Sequence, residues 1–204
     1  AKRFANENGI TLRIVATREM ENPNYLSNPS NRCYYCKHSL YDELSTLPEV
    51  TAGWWILNGT NLDDLGDYRP GLEAAKEYEA HSPLVECLID KAAVRELAEL
   101  HQLHCWNKPA SPCLASRIPY GERVTVEKLR QIESAEAVLS DHGFPVTRVR
   151  HYNTHARIEV PVEQLAKLHA LQTTLEAEMQ TIGFERTELD PEGFVSGKLN
   201  RVLS

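Results

Sequence analysis

The clearest alternation of apolar and polar positions begins after Gly121. Val126, Leu129, Ile132 and Leu139 recur at helical spacing and predict a helix over 126–142, with Gly143 placed to end it. Glu136 falls on or beside that apolar stripe, four residues after Ile132 and three before Leu139. A carboxylate there must pair with something or face a site, because burying it alone is costly. Two short runs, 146–151 and 156–160, flank Tyr152-Asn153-Thr154-His155 and read as a hairpin. Period-two alternation puts Ala156, Ile158 and Val160 on one face and Arg157 and Glu159 on the other. Arg148 and Arg150 share a face with Val146. Pro161 precedes a helical stripe of Leu165, Leu168, Leu171, Leu175, Met179 and Ile182, and 184–189 reads as a last strand. With Arg123-Val124-Thr125 as a leading strand, this order suggests a small α+β ferredoxin-like domain over 122–204.

Upstream the pattern is different. Residues 1–8 read as a helix closed by Gly9, 11–17 as a short strand, and 21–30 as a loop rich in Asn, Pro and Ser. A helix over 37–44, a buried strand over 54–59 (Trp-Trp-Ile-Leu-Asn-Gly) and a helix over 72–80 follow. Val94, Leu97 and Ala98 predict a helix over 92–102, and His104-Cys105-Trp106 a short strand. Alternating helix and strand is the signature of a doubly wound parallel sheet, here over 1–108. A helix with no strand before it is an odd start for such a sheet, and the expectation is a fragment of a longer protein.

The chain has 204 residues, a net charge of −7 and five cysteines. The acidic balance argues against a general nucleic-acid or membrane surface. No run approaches a membrane span and no secretory pattern opens the chain. An odd cysteine number without such a signal points to a reduced, cytoplasmic protein with one or more working thiols.

Between the two halves lies an ordered loop, 106–121, with three prolines and no regular periodicity. It carries Cys113, with Lys108 five residues before and Arg117 four after. Fixed positive charge near a thiol favours the thiolate, its reactive form. The spacing is equally that of an inert cysteine in a linker. Cys33 and Cys36 form a C-x-x-C pair, which binds metal, cycles as a disulfide, or does neither; no second pair follows at zinc-finger spacing. Gly59 opens an acidic run, Thr60-Asn61-Leu62-Asp63-Asp64-Leu65-Gly66-Asp67, that would suit magnesium or serve as a solvated turn. For Arg148, Arg150 and Glu159 the alternatives are a binding face and the solvated side of a one-sided sheet.

Four runs carry a resemblance to a known family. Lys108-Pro-Ala-Ser-Pro-Cys113-Leu-Ala-Ser-Arg117-Ile-Pro-Tyr-Gly121 resembles the signature loop of the ATP-dependent sacrificial sulfur transferases (LarE) of the PP-loop superfamily. Asn31-Arg-Cys33-Tyr-Tyr-Cys36-Lys37, Gly59 to Gly71 and the tail Glu192 to Asn200 extend it over nearly all of the chain. The resemblance implies a PP-loop (adenine nucleotide alpha hydrolase-like) α/β fold, N-terminally incomplete, with ATP and Mg2+ as cofactors. It implies sulfur transfer from Cys113 to an adenylated carboxylate of a pyridinium-type mononucleotide, in nickel-pincer cofactor biosynthesis, leaving dehydroalanine. By the same resemblance Arg148, Arg150 and Arg117 bind substrate, while Gly59, Thr60, Asn61, Asp63 and Asp64 lie beside the nucleotide. Glu136 and Glu159 match positions linked to metal or substrate, and a homo-oligomer is expected.

Two departures stand out. The superfamily's Ser-Gly-Gly-x-Asp-Ser phosphate loop is missing from these residues, so the chain as it stands would lack its phosphate cradle. The family tail reads Glu-Gly-Tyr-Arg-Ser-Gly-Ser-Leu-Asn; here Val195 replaces the arginine, and Lys198 offers a point charge instead of a fork. The competing functions are another PP-loop activity, such as tRNA thiolation or amidotransferase-type ligation, and a non-catalytic assembly module.

Overall fold

A computed structural model describes residues 1–195 and 198–203. Ser196 and Gly197, within the tail that carries part of the family resemblance, lie outside the described residues. The chain divides into two compact units. One comprises Ala1–Asn22 and Asn31–His101; the other comprises Pro23–Ser30 and the chain from Gln102 onward. Among the described residues no helix is long and apolar enough to cross a membrane.

In the second unit the Val126–Asp141 helix starts where the Thr125 side chain accepts the Lys128 N–H (3.2 Å) and ends before Gly143, whose φ of +82° favours glycine. It buries Ile132, Ala135 and Leu139 completely. Strands β1 (Arg148–Tyr152) and β2 (His155–Glu159) form the expected hairpin, with Arg148 opposite Glu159 and Arg150 opposite Arg157. β3 (Arg186–Leu189) runs parallel to β2, giving the order β1-β2-β3. A parallel partner requires a crossover, and the Leu165–Ala170 and Gln172–Ile182 helices supply it. The single helix expected here is broken at Leu171, but its stripe still faces inward, with Leu168, Leu175 and Met179 fully buried. Val149, Ala156, Ile158 and Val160 pack on this core with Phe144 and Phe184.

The leading strand expected at 123–125 does not form. The Val124 N–H donates to the Leu26 carbonyl (2.9 Å) and the Gly121 N–H to that of Asn28 (2.8 Å), while Thr125 serves as a helix cap. These donors are already satisfied off the sheet, so the described sheet has three strands.

The first unit is built from short helices. Arg32–Ser45 and Gly71–Glu77 enclose a small core of Tyr41, Ala74 and Ala75, with Tyr34, Leu44, Ile56 and Tyr78 packed around it. Its expected strands are a correction to the sequence reading. Residues 11–17 carry no regular structure, and 54–59 contribute one bridge, Leu57 to His81. Trp54 and Trp55 are 70% and 75% exposed. An apolar run becomes a buried strand only when neighbouring strands satisfy both edges, and the described residues provide none. The third, 104–106, belongs to the second unit and is a pair of turns, closed by the Trp106 N–H on Leu103 and the Lys108 N–H on Cys105.

Candidate active site

Cys113 sits in extended backbone (φ −63°, ψ 153°) just before a single 3-10 turn, Leu114–Arg117. Pro112 before it excludes a continuous helix, and the Ser116 hydroxyl donates to the Cys113 carbonyl (2.7 Å). Its side chain is exposed, on a free thiol. The loop beneath the thiol is held by three guanidinium groups. Arg117, fully buried, donates through Nη1 to the Pro112 and Cys113 carbonyls (2.9 and 3.0 Å). Arg150 donates to the Ser116 carbonyl (2.9 Å) and Arg148 to that of Ala110 (2.9 Å). Downstream, the buried Asn28 amide donates to the Ile118 and Pro119 carbonyls (3.2 and 2.7 Å). Each hydrogen bond from a charged donor contributes about 1.5–3 kcal/mol net, so the backbone of this loop is fixed while its thiol is free.

Carboxylates balance two of these arginines. Glu136 takes Arg117 in a fork, Nε to Oε1 at 2.8 Å and Nη2 to Oε2 at 3.0 Å, and also accepts the Val149 N–H (3.0 Å). Glu159 takes Arg150 in a second fork (3.1 and 3.0 Å). The sheet face carrying Arg148, Arg150 and Glu159 is therefore not the solvated side that alternation alone allows: these residues are 7%, 8% and 1% exposed. Arg148 differs from its neighbours. Among the described residues it has no carboxylate partner; it donates to the Thr147 and Ala110 carbonyls (2.6 and 2.9 Å) and lies 5.0 Å from the Phe194 ring centre. Burial, then repulsion from Arg117, pushes its pKa below the usual guanidinium value. The cluster thus carries surplus positive charge at Arg148.

The tail closes this region with charges that sequence spacing does not reveal. Lys198 Nζ lies 2.7 Å from Asp190, 3.2 Å from Glu192 and 3.7 Å from Glu159. Arg201 forks onto Glu192, and with Lys198 it lowers that carboxyl to about 2. Lys198 is thus occupied by carboxylates.

Gly59, Thr60, Asn61, Asp63 and Asp64 lie together in the first unit, on a loop that satisfies itself. Asn61 and Asp64 form a capping box, Asp64 also pairs with Arg69 (2.8 Å), and Asp63 accepts the Lys91 N–H (3.0 Å) at the start of the Lys91–Leu100 helix. Gly59 has open space where a Cβ would lie. An open cleft of about 700 Å³ in the same unit is lined by Tyr34, Tyr68, Arg69, Lys76 and Glu77 among others. Cys33 and Cys36 occupy the first turns of Arg32–Ser45, Cys33 exposed and Cys36 half-buried. Among the described residues no group of three His, Cys, Asp or Glu side chains could hold a metal ion, and Glu136 and Glu159 are each engaged by an arginine.

An exposed thiol thus stands on a pinned loop, beside buried arginines with surplus positive charge. The chain is 48% identical over 200 residues to uncharacterized protein slr1717 of Synechocystis sp. (96% of this chain, 74% of that protein). It is 36% identical over 200 residues to the pyridinium-3,5-bisthiocarboxylic acid mononucleotide synthase of Lactiplantibacillus plantarum (98% and 71%), and 29% identical over 188 residues to uncharacterized protein MJ0830 of Methanocaldococcus jannaschii (92% and 71%). No family model matches the chain. The chain belongs to the family of the pyridinium-3,5-bisthiocarboxylic acid mononucleotide synthase, LarE.

Proposed function

We propose that this protein is an enzyme that transfers sulfur from Cys113 to a carboxylate of a pyridinium mononucleotide. The observation that carries the reading is the exposed Cys113 thiol on a loop whose carbonyls are fixed by Arg117, Arg150 and Arg148. The relative of known product is named for a bisthiocarboxylic acid, which requires carboxylate oxygen to be replaced by sulfur. A carboxylate does not release its oxygen unaided, so we assign ATP as the co-substrate that converts it to an acyl-adenylate with release of pyrophosphate. The Cys113 thiolate attacks the acyl carbon and AMP leaves, giving a thioester. Loss of the Cys113 Cα proton and cleavage of its Cβ–Sγ bond then yield the thiocarboxylate and leave dehydroalanine in the chain.

Arg148 is the group suited to the substrate's phosphate or carboxylate, since among the described residues no carboxylate pairs with it directly. Arg117 and Arg150 belong to the same site, fixed by Glu136 and Glu159. We propose that the chain is of PP-loop type and that the 59–64 loop of the first unit faces the nucleotide, with Gly59 leaving room for close approach. Magnesium belongs to the proposal as the companion of ATP; it would be held by the nucleotide phosphates with one or two carboxylates and would offset the phosphate charge.

The test is intact-mass analysis after incubation with ATP, magnesium and pyridinium-3,5-dicarboxylic acid mononucleotide. Loss of the elements of hydrogen sulfide is expected, with dehydroalanine mapped to position 113. Cys113→Ser abolishes product, whereas Cys33→Ser keeps single-turnover activity. Repeated turnover with the Cys113 thiol unchanged would overturn the proposal.

A further inference from the structure

Arg148 is buried and charged, and among the described residues no carboxylate pairs with it; other groups hold its guanidinium in place. Two carbonyl oxygens, of Thr147 and Ala110, fix Nη1 and Nη2. The third contact is the Phe194 ring, whose centre lies 5.0 Å from the guanidinium carbon. An aromatic face over a cation is attractive and fixes the plane of the fork without neutralising it. A carboxylate in that position would orient the arginine equally well but would consume the charge that an anion must meet.

The chain places the ring there deliberately. The Phe194 N–H donates to the Val160 carbonyl at the end of β2 (2.8 Å), and the Gly193 N–H closes a turn on Asp190 (3.1 Å). Gly193 has a φ of +70°, and a Cβ there would lie 2.7 Å from the Val160 carbonyl, so the turn requires glycine. The tail is fastened across Phe194 by Lys198 on Asp190 and beyond it by the Tyr120 hydroxyl on the Asn200 side chain (3.0 Å). The segment is a strap whose aromatic side chain lands on Arg148, the member of the three-arginine cluster that has no carboxylate fork among the described residues.

We propose that Phe194 is a positioning residue, holding Arg148 in the orientation that binds the anionic group of the substrate. This rests on the reading of Arg148 as the anion contact. The readouts are binding of nicotinic acid mononucleotide by calorimetry and the NMR signal of the Arg148 Nε–H, with melting temperature and circular dichroism as fold controls. In the wild-type chain the Nε–H signal is shifted upfield by the ring. Phe194→Leu keeps apolar bulk, loses that shift and weakens the mononucleotide about tenfold, between the sizes of an exposed and a fully desolvated cation–π contact. Phe194→Tyr restores both, and Phe194→Met repeats the leucine result if the leucine variant folds poorly. Wild-type affinity in Phe194→Leu, with Arg148→Ala deficient, overturns the role of Phe194 and leaves the anion site standing. Wild-type affinity in Arg148→Ala overturns both.

Discussion

Glu136→Ala should unfix the Cys113 loop, and the size of the effect follows from the contacts. The substitution removes a forked carboxylate from Arg117, a side chain only 2% exposed, and it takes the acceptor from the Val149 N–H in the core. Breaking a buried pair by deleting one partner costs about 3–5 kcal/mol. The orphaned amide adds about 1 kcal/mol. Glu136 itself is 17% exposed, which favours the lower part of that range, so a loss of about 4 kcal/mol is expected. Urea unfolding followed by circular dichroism measures it. A second readout is amide exchange, which should rise at residues 113–117, where Arg117 holds the carbonyls, and stay unchanged in the Lys91–Leu100 helix. The double variant R117M/E136M removes both charges and should cost clearly less than the two single changes added together. A loss below about 1 kcal/mol in Glu136→Ala, or strict additivity in the double variant, would refute the argument that this pair fixes the loop.

Other outcomes follow from single features. His151 is 1% exposed, its Nε2 bonds Gln131 (2.9 Å), and its buried Nδ1 has no hydrogen-bond partner among the described residues, so burial holds its pKa below the usual value. The unfolded chain then binds the proton first, and stability should fall as pH drops below about 6.5 towards the folded-state pKa; His151→Gln should flatten that slope in unfolding titrations at several pH values. Gly193→Ala should destabilise the second unit by about 2 kcal/mol, read from its urea midpoint, because alanine must accept positive φ and approach the Val160 carbonyl.

Much of the second unit was legible in the chain because its elements are local. A 3.6-residue stripe with a threonine cap and a glycine stop is enough to place the Val126–Asp141 helix, and strict alternation is enough to put Ala156, Ile158 and Val160 inward. The first unit was legible in its helices and not in its strands. Trp54-Trp55-Ile56-Leu57 has the composition of a buried strand, but strand formation depends on a neighbour that composition does not specify.

The candidate site divides along the same line. The chain by itself marked Cys113 through its proline-rich loop and basic neighbours, and it marked Glu136 as a carboxylate that had to pair or face a site. It did not say that the partner is Arg117, nineteen residues away, nor that the polar face of the hairpin is buried under the Cys113 loop. Alternation assigns a residue to a face, but only packing decides whether that face meets water. Which arginine pairs with a carboxylate was likewise a tertiary decision. Arg148 and Arg150 stand on the same strand with the same spacing; Glu159 reaches one and an aromatic ring the other. Charge compensation acts over a few ångströms in space, and distance along the chain does not record it.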